Sequence, residues 1–190
     1  MKKQIPNILT LIRIILVPVF IWLVFSSSIS NNILLATIVF LLASITDYFD
    51  GMLARRYKII SNFGKIMDPL ADKILVISAL FALSLQLKFI NIIVVIIIIF
   101  REIAVSVLRN YYAGRGIYIA ANIWGKLKTF TQMTGIVISL IFASAVKNSI
   151  FLQNIDKNFR VGINIYFWIV AGITLLSGLN YFMIKFKKEK

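Results

Sequence analysis

The chain has 190 residues, is 60% hydrophobic and has a mean hydropathy of +0.91, which excludes an ordinary soluble domain. It has neither cysteine nor histidine. Disulfides, thiolate nucleophiles and histidine bases are therefore excluded, and any general base must be Asp, Glu, Lys or Tyr. A net charge of +14 is compatible with nucleic acid or with anionic lipid. In so apolar a chain we interpret it as positive-inside bias and attraction to lipid headgroups.

Six stretches of the chain are apolar enough and long enough to cross a bilayer as helices. They are predicted at residues 6–26, 32–55, 63–87, 90–113, 119–146 and 161–184. The connections between them are short, and no internal repeat or low-complexity linker interrupts them. We therefore predict an all-α integral membrane protein with six transmembrane helices, forming one domain over residues 1–190. The charged residues Asp156, Lys157 and Arg160 are assigned to the fifth connection.

The distribution of lysine and arginine predicts the orientation of these helices. Basic residues concentrate at the N-terminus, in the second and fourth connections and in the C-terminal tail, whereas the first connection carries no charge. The positive-inside rule then places both termini and the second connection in the cytoplasm. The predicted location is the cell (cytoplasmic) membrane, with multiple spans. Arg13, two turns into the first span, is expected to extend to the cytoplasmic surface rather than contact substrate.

Four of the seven acidic residues flank the second connection, as the pairs Asp47/Asp50 and Asp68/Asp72. Each pair has helical i,i+3 or i,i+4 spacing, so its members project from one helix face. Carboxylates beside lipid are costly, and four of them close together repel one another. Divalent cations relieve both effects, and an all-oxygen ligand set favours Mg²⁺ or Mn²⁺. The pattern predicts a two-metal site at the membrane surface. The alternative is a structural role, as helix caps or as partners of nearby Arg and Lys.

The same residues belong to a longer motif. The sequence reads DYFDGMLAR, then eight residues, then GKIMDPLAD. It resembles the signature of the CDP-alcohol phosphotransferase family, DxxDGxxAR followed by GxxxDxxxD, with every required position filled. The segments IPNILTLIRI, DPLADK, REIAVSVLR and GKLKT are similar to the branch of that family that acts on CDP-diacylglycerol and glycerol 3-phosphate. This similarity runs from about residue 5 to 135.

The resemblance implies an enzyme that moves a phosphatidyl group from CDP-diacylglycerol to sn-glycerol 3-phosphate and releases CMP at the cytoplasmic side. It implies two divalent metal ions, Mg²⁺ or Mn²⁺, bound by Asp47, Asp50, Asp68 and Asp72, with Asp72 as the catalytic base. It further implies a homodimer, and no nucleic acid as partner. The CDP-diacylglycerol contacts it implies are Asn7, Thr10, Asp47, Gly51, Ala54, Arg55 and Ser61.

A phosphate-bearing acceptor requires cations near the metal site. Arg101 and Arg109 are about 80° apart around the fourth span, so they share a broad face. Arg101 lies about 18 Å from the cytoplasmic end of its span, where it needs a watery cavity or a partner. Lys126 and Lys128 are about 200° apart on the fifth span, and of the two we favour Lys126 for the pocket. The alternative is that these cations extend to lipid headgroups.

Three alternatives remain open from the sequence, and the last of them is a non-catalytic membrane scaffold. The first is an enzyme of the same family with another acceptor, such as inositol phosphate, serine or phosphatidylglycerol. The second is a divalent-cation transporter that uses the aspartates as its transport site. Transport acids usually lie near the bilayer midplane, in broken helices or inverted repeats. These aspartates are predicted near one membrane face, beside basic residues, and no repeat is visible.

Overall fold

A computed structural model describes residues 5–57, 62–115, 123–146 and 149–188. Side chains are described for residues 11–46, 70–115, 123–146 and 149–178. All regular structure within these ranges is helical. The six helices are α1 (Ile5–Phe25), α2 (Asn32–Tyr57), α3 (Asn62–Phe81), α4 (Ile92–Gly114), α5 (Ile123–Ala145) and α6 (Ile150–Lys188). A π-helical segment, Ala82–Gln86, extends α3. The prediction of six helices is confirmed.

The helices pack as a bundle, and short turns at residues 26–31 and 87–91 reverse the chain between α1 and α2 and between α3 and α4. Helix α1 packs on α2 and α3, α5 packs on α2 and α6, and α4 packs on α6 and α3. Helix α3 also contacts α5. Helices α3, α4 and α5 therefore meet along one side of the bundle.

Polar side chains shape the turns at the end of the bundle that holds the α1–α2 and α3–α4 connections. Asn32 donates hydrogen bonds from Nδ2 to the carbonyl oxygens of Leu23 (3.2 Å) and Ser26 (2.6 Å), which satisfies carbonyls at the end of α1. Asn91 accepts a hydrogen bond from the Ile93 N–H (2.9 Å) and caps the start of α4. Lys88 has a φ of 53°, a left-handed conformation that is unfavourable for a lysine.

An arginine on α6 stabilises that turn. Arg160 donates from NH1 to the carbonyl of Leu87, the residue before Lys88, and from Nε to Asp156 Oδ2 at 2.7 Å. Its guanidinium also lies 4.5 Å from the centre of the Phe89 ring. Because one side chain contacts both the turn and α6, it holds the α3–α4 connection against the bundle.

The bundle is apolar inside and outside. Large side chains fill its centre, among them Phe20, Phe40, Leu80, Ile136 and Phe167. Large apolar side chains also cover the outer surfaces of the helices, as Trp22, Ile96, Phe100, Phe130 and Ile169 illustrate. Helices that are apolar on all sides are typical of a bundle surrounded by lipid. Of the described helices, α5 and residues 150–178 of α6 are long and apolar enough by themselves to span a membrane.

The predicted start of the sixth helix is wrong by 11 residues. Helix α6 begins at Ile150 rather than at residue 161, so Asp156, Lys157 and Arg160 lie on its first turns and not in a connection. The charged run hid a helical pattern. Leu152, Ile155 and Phe159 recur at spacings of three and four and pack against the core, and the charged residues Asp156 and Arg160 border this apolar face. Asp156 and Arg160 form an i,i+4 ion pair.

Candidate active site

The four predicted metal-binding aspartates lie in the second half of α2 and in the first three turns of α3. Asp47 and Asp50 are in the last three turns of α2, and Asp68 and Asp72 are one turn apart on α3, which contacts α2. Of these four, only Asp72 has a described side chain, and it is half-buried. Among the described side chains no group of three or more potential metal ligands converges. Because three of the four aspartates fall outside that set, the two-metal site stays a prediction.

The predicted nucleotide contacts come from α1, α2 and the residues that follow α2. Two are on the first turns of α1 and three on the last turns of α2, and these ends lie on the same side of the bundle. The side chains of these five residues are outside the described part of the chain, and Ser61 is outside it altogether, so these contacts stay predictions. Besides Asp47, the predicted contacts are Asn7, Thr10, Gly51, Ala54, Arg55 and Ser61.

A cavity of about 240 Å³ lies between α3, α4 and α5, and Asp72 forms part of its wall. Its volume is just below the roughly 300–1,000 Å³ of sites for drug-sized ligands, so it suits a small molecule. One part of the lining is apolar, with Leu80, Ile98 and Met133 among its members. The other part is polar and carries charges of both signs. The polar lining residues are Asp72, Lys73, Glu102, Lys128, Thr129 and Gln132.

The lysines of this wall are held by neighbouring groups. Lys128 is 5% exposed and forms an ion pair with Glu102 of α4. It also interacts electrostatically with Asp72, Lys73 and Arg101. Lys73 donates a hydrogen bond to Ser106 Oγ at 2.5 Å, and that hydroxyl donates to the carbonyl of Glu102 at 2.7 Å. Charges from three helices thus meet around the cavity, and buried charges of this kind require partners.

The structure reverses the preference between the two lysines of α5. Lys128 lines the cavity, whereas Lys126 is exposed. The predicted angular separation of about 200° was sufficient to show that both cannot face the cavity. It could not show which one does, because the rotation of α5 is set by its packing on α2 and α6. Whether either lysine binds phosphate stays a prediction.

The two arginines of α4 do not share one environment. Arg101 is 8% exposed and donates from NH2 to Ser177 Oγ at 2.5 Å. A Cβ on Gly178 would lie 3.3 Å from Arg101 Nε, so this glycine leaves room for the guanidinium. Arg109 is exposed. Neither arginine is among the described lining residues of the cavity. The expectation that Arg101 needs a partner at its depth is confirmed, and α6 supplies one.

Arg13 is completely buried on α1, so the expectation that it extends to the membrane surface is wrong. Near the end of an apolar helix, an arginine can reach headgroups only if its face of the helix points outward. Its helix face points inward, since Phe20, seven residues further along α1, is also completely buried.

The comparison with known proteins identifies the family. Residues 3–177 match the CDP-alcohol phosphatidyltransferase family. The chain belongs to this family. The resemblance seen in the DYFDGMLAR and GKIMDPLAD segments is therefore confirmed over nearly the whole chain rather than over its first two thirds.

Several relatives within the CDP-alcohol phosphatidyltransferase family are named CDP-diacylglycerol–glycerol-3-phosphate 3-phosphatidyltransferase. The protein from Rickettsia typhi is 37% identical over 181 residues, which cover 95% of this chain and 96% of the relative. The protein from Bacillus subtilis is 35% identical over 190 residues, covering 94% and 93%. The protein from Haemophilus influenzae is 42% identical over 136 residues, covering 70% and 73%.

Four polar residues of the cavity were not among the predicted site residues of this CDP-alcohol phosphatidyltransferase. They are Lys73, Glu102, Thr129 and Gln132. Gln132 follows Lys128 by one helical turn, so it could have been found by following that helix face from a residue already chosen. Lys73 directly follows Asp72 and points about 100° away from it, so the same rule does not find it. Polar and ionisable residues inside apolar helices are costly, which is itself a signal of function.

Proposed function

We propose that this protein transfers the phosphatidyl group of CDP-diacylglycerol to sn-glycerol 3-phosphate, giving phosphatidylglycerophosphate and CMP. The observation that carries the proposal is that Asp72 and Lys128 share the wall of one small cavity. A carboxylate able to take a proton and a cation able to hold a phosphate are the two groups that this acceptor requires. The names of the relatives support the same reaction.

The reaction is a phosphoryl substitution in which Asp72 acts as the base. The 1-hydroxyl oxygen of glycerol 3-phosphate attacks the phosphorus that carries the diacylglycerol, forming a new P–O bond. The bond from that phosphorus to the oxygen bridging it to the cytidine phosphate breaks, and CMP leaves with the electron pair. The Asp72 carboxylate receives the proton of the attacking hydroxyl. A side-chain base of this kind typically contributes about 10²- to 10⁴-fold in rate.

The donor set of the aspartates fits two Mg²⁺ or Mn²⁺ ions. Asp72 faces the cavity, Asp68 precedes it by one turn, and Asp47 and Asp50 are on the contacting helix α2. All four supply the carboxylate oxygens that these hard ions prefer. When bound, the ions supply charge stabilisation to the pyrophosphate and its leaving group. Asp47, Gly51, Ala54 and Arg55, with Asn7, Thr10 and Ser61, would hold the cytidine diphosphate part.

The phosphate of the acceptor is proposed to bind beside Lys128. Lys73 offers a second ammonium on the same wall, from α3. Arg101 interacts electrostatically with Lys128 from behind the wall and adds to the positive potential. Arg109 and Lys126 are exposed. We propose that their positive charges attract the anionic acceptor toward the cavity.

The bundle is proposed to cross the cytoplasmic membrane six times as one domain, with both termini and the aspartates on the cytoplasmic side. The basic residues at the N-terminus, in the second and fourth connections and in the tail support this orientation. A homodimer is proposed from the family resemblance alone.

The deciding experiment measures CMP release by the purified protein in detergent, with each candidate acceptor in turn. CDP-diacylglycerol and sn-glycerol 3-phosphate together should release CMP, and the release should stop with EDTA and return with Mn²⁺ or Mg²⁺. Release with inositol phosphate, serine or phosphatidylglycerol, but none with glycerol 3-phosphate, would contradict the proposed acceptor. Proteoliposomes that carry Mn²⁺ across the membrane without releasing CMP would instead support a transporter.

A further inference from the structure

Gln132 is a buried amide on the wall of the cavity. It lies on α5 one helical turn beyond Lys128, on the same face of the helix and about 6 Å further along its axis. Its side chain is 2% exposed and lines the cavity together with Asp72 and Lys128. Within the described part of the chain, neither its Oε1 nor its Nε2 has a hydrogen-bond partner.

An amide with both ends unsatisfied is unusual in a protein interior. The large majority of buried side-chain polar atoms are hydrogen-bonded, because an unmet donor or acceptor loses its hydration without compensation. Other polar side chains of α5 are satisfied by their own helix, as Thr131 and Thr134 show by donating to carbonyls one turn back. Because Gln132 also lines the cavity, its unpaired amide lies at the edge of the space that a ligand would fill.

The chemistry of that ligand follows from the amide and its neighbours. A primary amide offers one acceptor and two donors, which complements a hydroxyl group that both donates and accepts. It carries no charge, so it attracts a phosphate less strongly than Lys128 does. Apolar residues such as Leu80 and Ile98 also line the cavity, and they offer a hydroxyl no hydrogen bond. The geometry points to a polyol.

We propose that Gln132 binds the secondary hydroxyl of the acceptor and makes the enzyme selective for a polyol phosphate over an acceptor without that hydroxyl. This rests on the proposed function, in which Asp72 faces the reacting hydroxyl and Lys128 the phosphate. Gln132 is then the third contact with the same small molecule. A site built to hydrogen-bond a substrate hydroxyl rejects the analogue that lacks it, because its own polar group is then left unpaired.

The test compares two acceptors with wild type and with Gln132→Met, which keeps an unbranched side chain of similar length. The acceptors are sn-glycerol 3-phosphate and 3-hydroxypropyl phosphate, which has the phosphate and the reacting hydroxyl but lacks the secondary hydroxyl. The readout is kcat/KM for CMP release. Wild type should prefer glycerol 3-phosphate, and Gln132→Met should reduce that preference by about 5- to 150-fold. The value for 3-hydroxypropyl phosphate should hardly change.

Control variants separate this role from a structural one. Thr134→Val, on the same helix outside the cavity lining, should keep the wild-type preference. Gln132→Asn keeps the amide but shortens the side chain by one methylene, so it should lose less of the preference for glycerol 3-phosphate. If Gln132→Met does not fold, the ratio of the two kcat/KM values is measured with Gln132→Asn instead. An equal fall with both acceptors, an unchanged ratio, or a wild type that does not distinguish the acceptors overturns the role of Gln132. A wild type that releases no CMP with either acceptor overturns the proposed function itself.

Discussion

Replacing Lys128 should weaken binding of the acceptor far more than replacing Lys126. The two residues are alike in charge and length and are two positions apart on α5, yet Lys128 is 5% exposed in the cavity wall and Lys126 is on the surface. Lys128→Met and Lys126→Met are therefore matched variants. Each removes one positive charge and keeps an unbranched chain.

The size of the effect follows from the burial of Lys128. A hydrogen bond to a charged group is worth about 1.5–3 kcal/mol when it is well formed, and a buried setting strengthens it. Losing that contact corresponds to an increase of about 10- to 150-fold in the KM for glycerol 3-phosphate. The exposed Lys126 acts through solvent, where a single charge is worth about 1 kcal/mol or less. Its variant should change KM by less than about fivefold, and less still at high salt.

The assay is CMP release at saturating CDP-diacylglycerol, with the KM for glycerol 3-phosphate as readout and the KM for CDP-diacylglycerol as internal reference. Lys128→Met leaves Glu102 without its cation, so the double variant Lys128→Met/Glu102→Gln controls for the orphaned carboxylate. It should regain thermal stability without regaining affinity for the acceptor. A larger increase in KM for Lys126→Met than for Lys128→Met, or an equal change in both substrate KM values, would refute the assignment.

Three further predictions test the base, the helix packing and the turn. Asp72→Asn should lower CMP release by at least about 10²-fold because the base is lost, while size-exclusion and melting profiles stay close to wild type; undiminished turnover would remove Asp72 from that role. Gly135→Ala should lower the free energy of unfolding by about 1–3 kcal/mol, because the new Cβ would lie 2.7 Å from Tyr166 Cε1 and 3.0 Å from Phe167 Cζ. Gly125→Ala is the control, since its Cβ meets nothing within 4 Å. Equal melting temperatures for the two variants would contradict this packing. Arg160→Ala should lower the melting temperature, because Leu87, Asp156 and Phe89 lose the side chain that contacts all three. The control is Lys157→Ala, which removes a nearby exposed cation and should leave the melting temperature unchanged. An unchanged melting temperature for Arg160→Ala would show that the turn does not depend on this arginine.

The number and order of the helices could be predicted because apolar length is a strong signal. The starts of α2 and α3 are within one residue of the predicted ones. The start of α6 was missed because about three turns of helix can bear charges and still bury an apolar face. Leu152, Ile155 and Phe159 form that face, and the Asp156–Arg160 pair offsets the cost of the charges beside it. Hydropathy averages over the faces of a helix, so it detects such a segment poorly.

The side chains around the cavity were predicted less well than the helices that carry them. Angular spacing relates residues of one helix to each other but does not fix the rotation of that helix in the bundle. The choice between Lys126 and Lys128, and the inward direction of Arg13, both depend on that rotation. The pairing of Lys128 with Glu102 joins α5 to α4, a contact between residues 26 positions apart. Spacing within either helix carries no information about such a contact.

The arrangement of charges in the cavity wall explains how Lys128 can remain buried and still be able to bind an anionic substrate. Lys128 is buried beside apolar side chains, where an unpaired ammonium would be costly, and its ion pair with Glu102 offsets part of that cost. Lys73 has a neutral partner, the hydroxyl of Ser106, to which it donates a hydrogen bond. A phosphate that reaches Lys128 must therefore compete with a carboxylate already in place, so the affinity it gains is a difference between two ion pairs. By this reasoning, Glu102 limits how tightly the acceptor is bound, and an acceptor that also contacts Gln132 and Asp72 gains over a simple anion that contacts Lys128 alone.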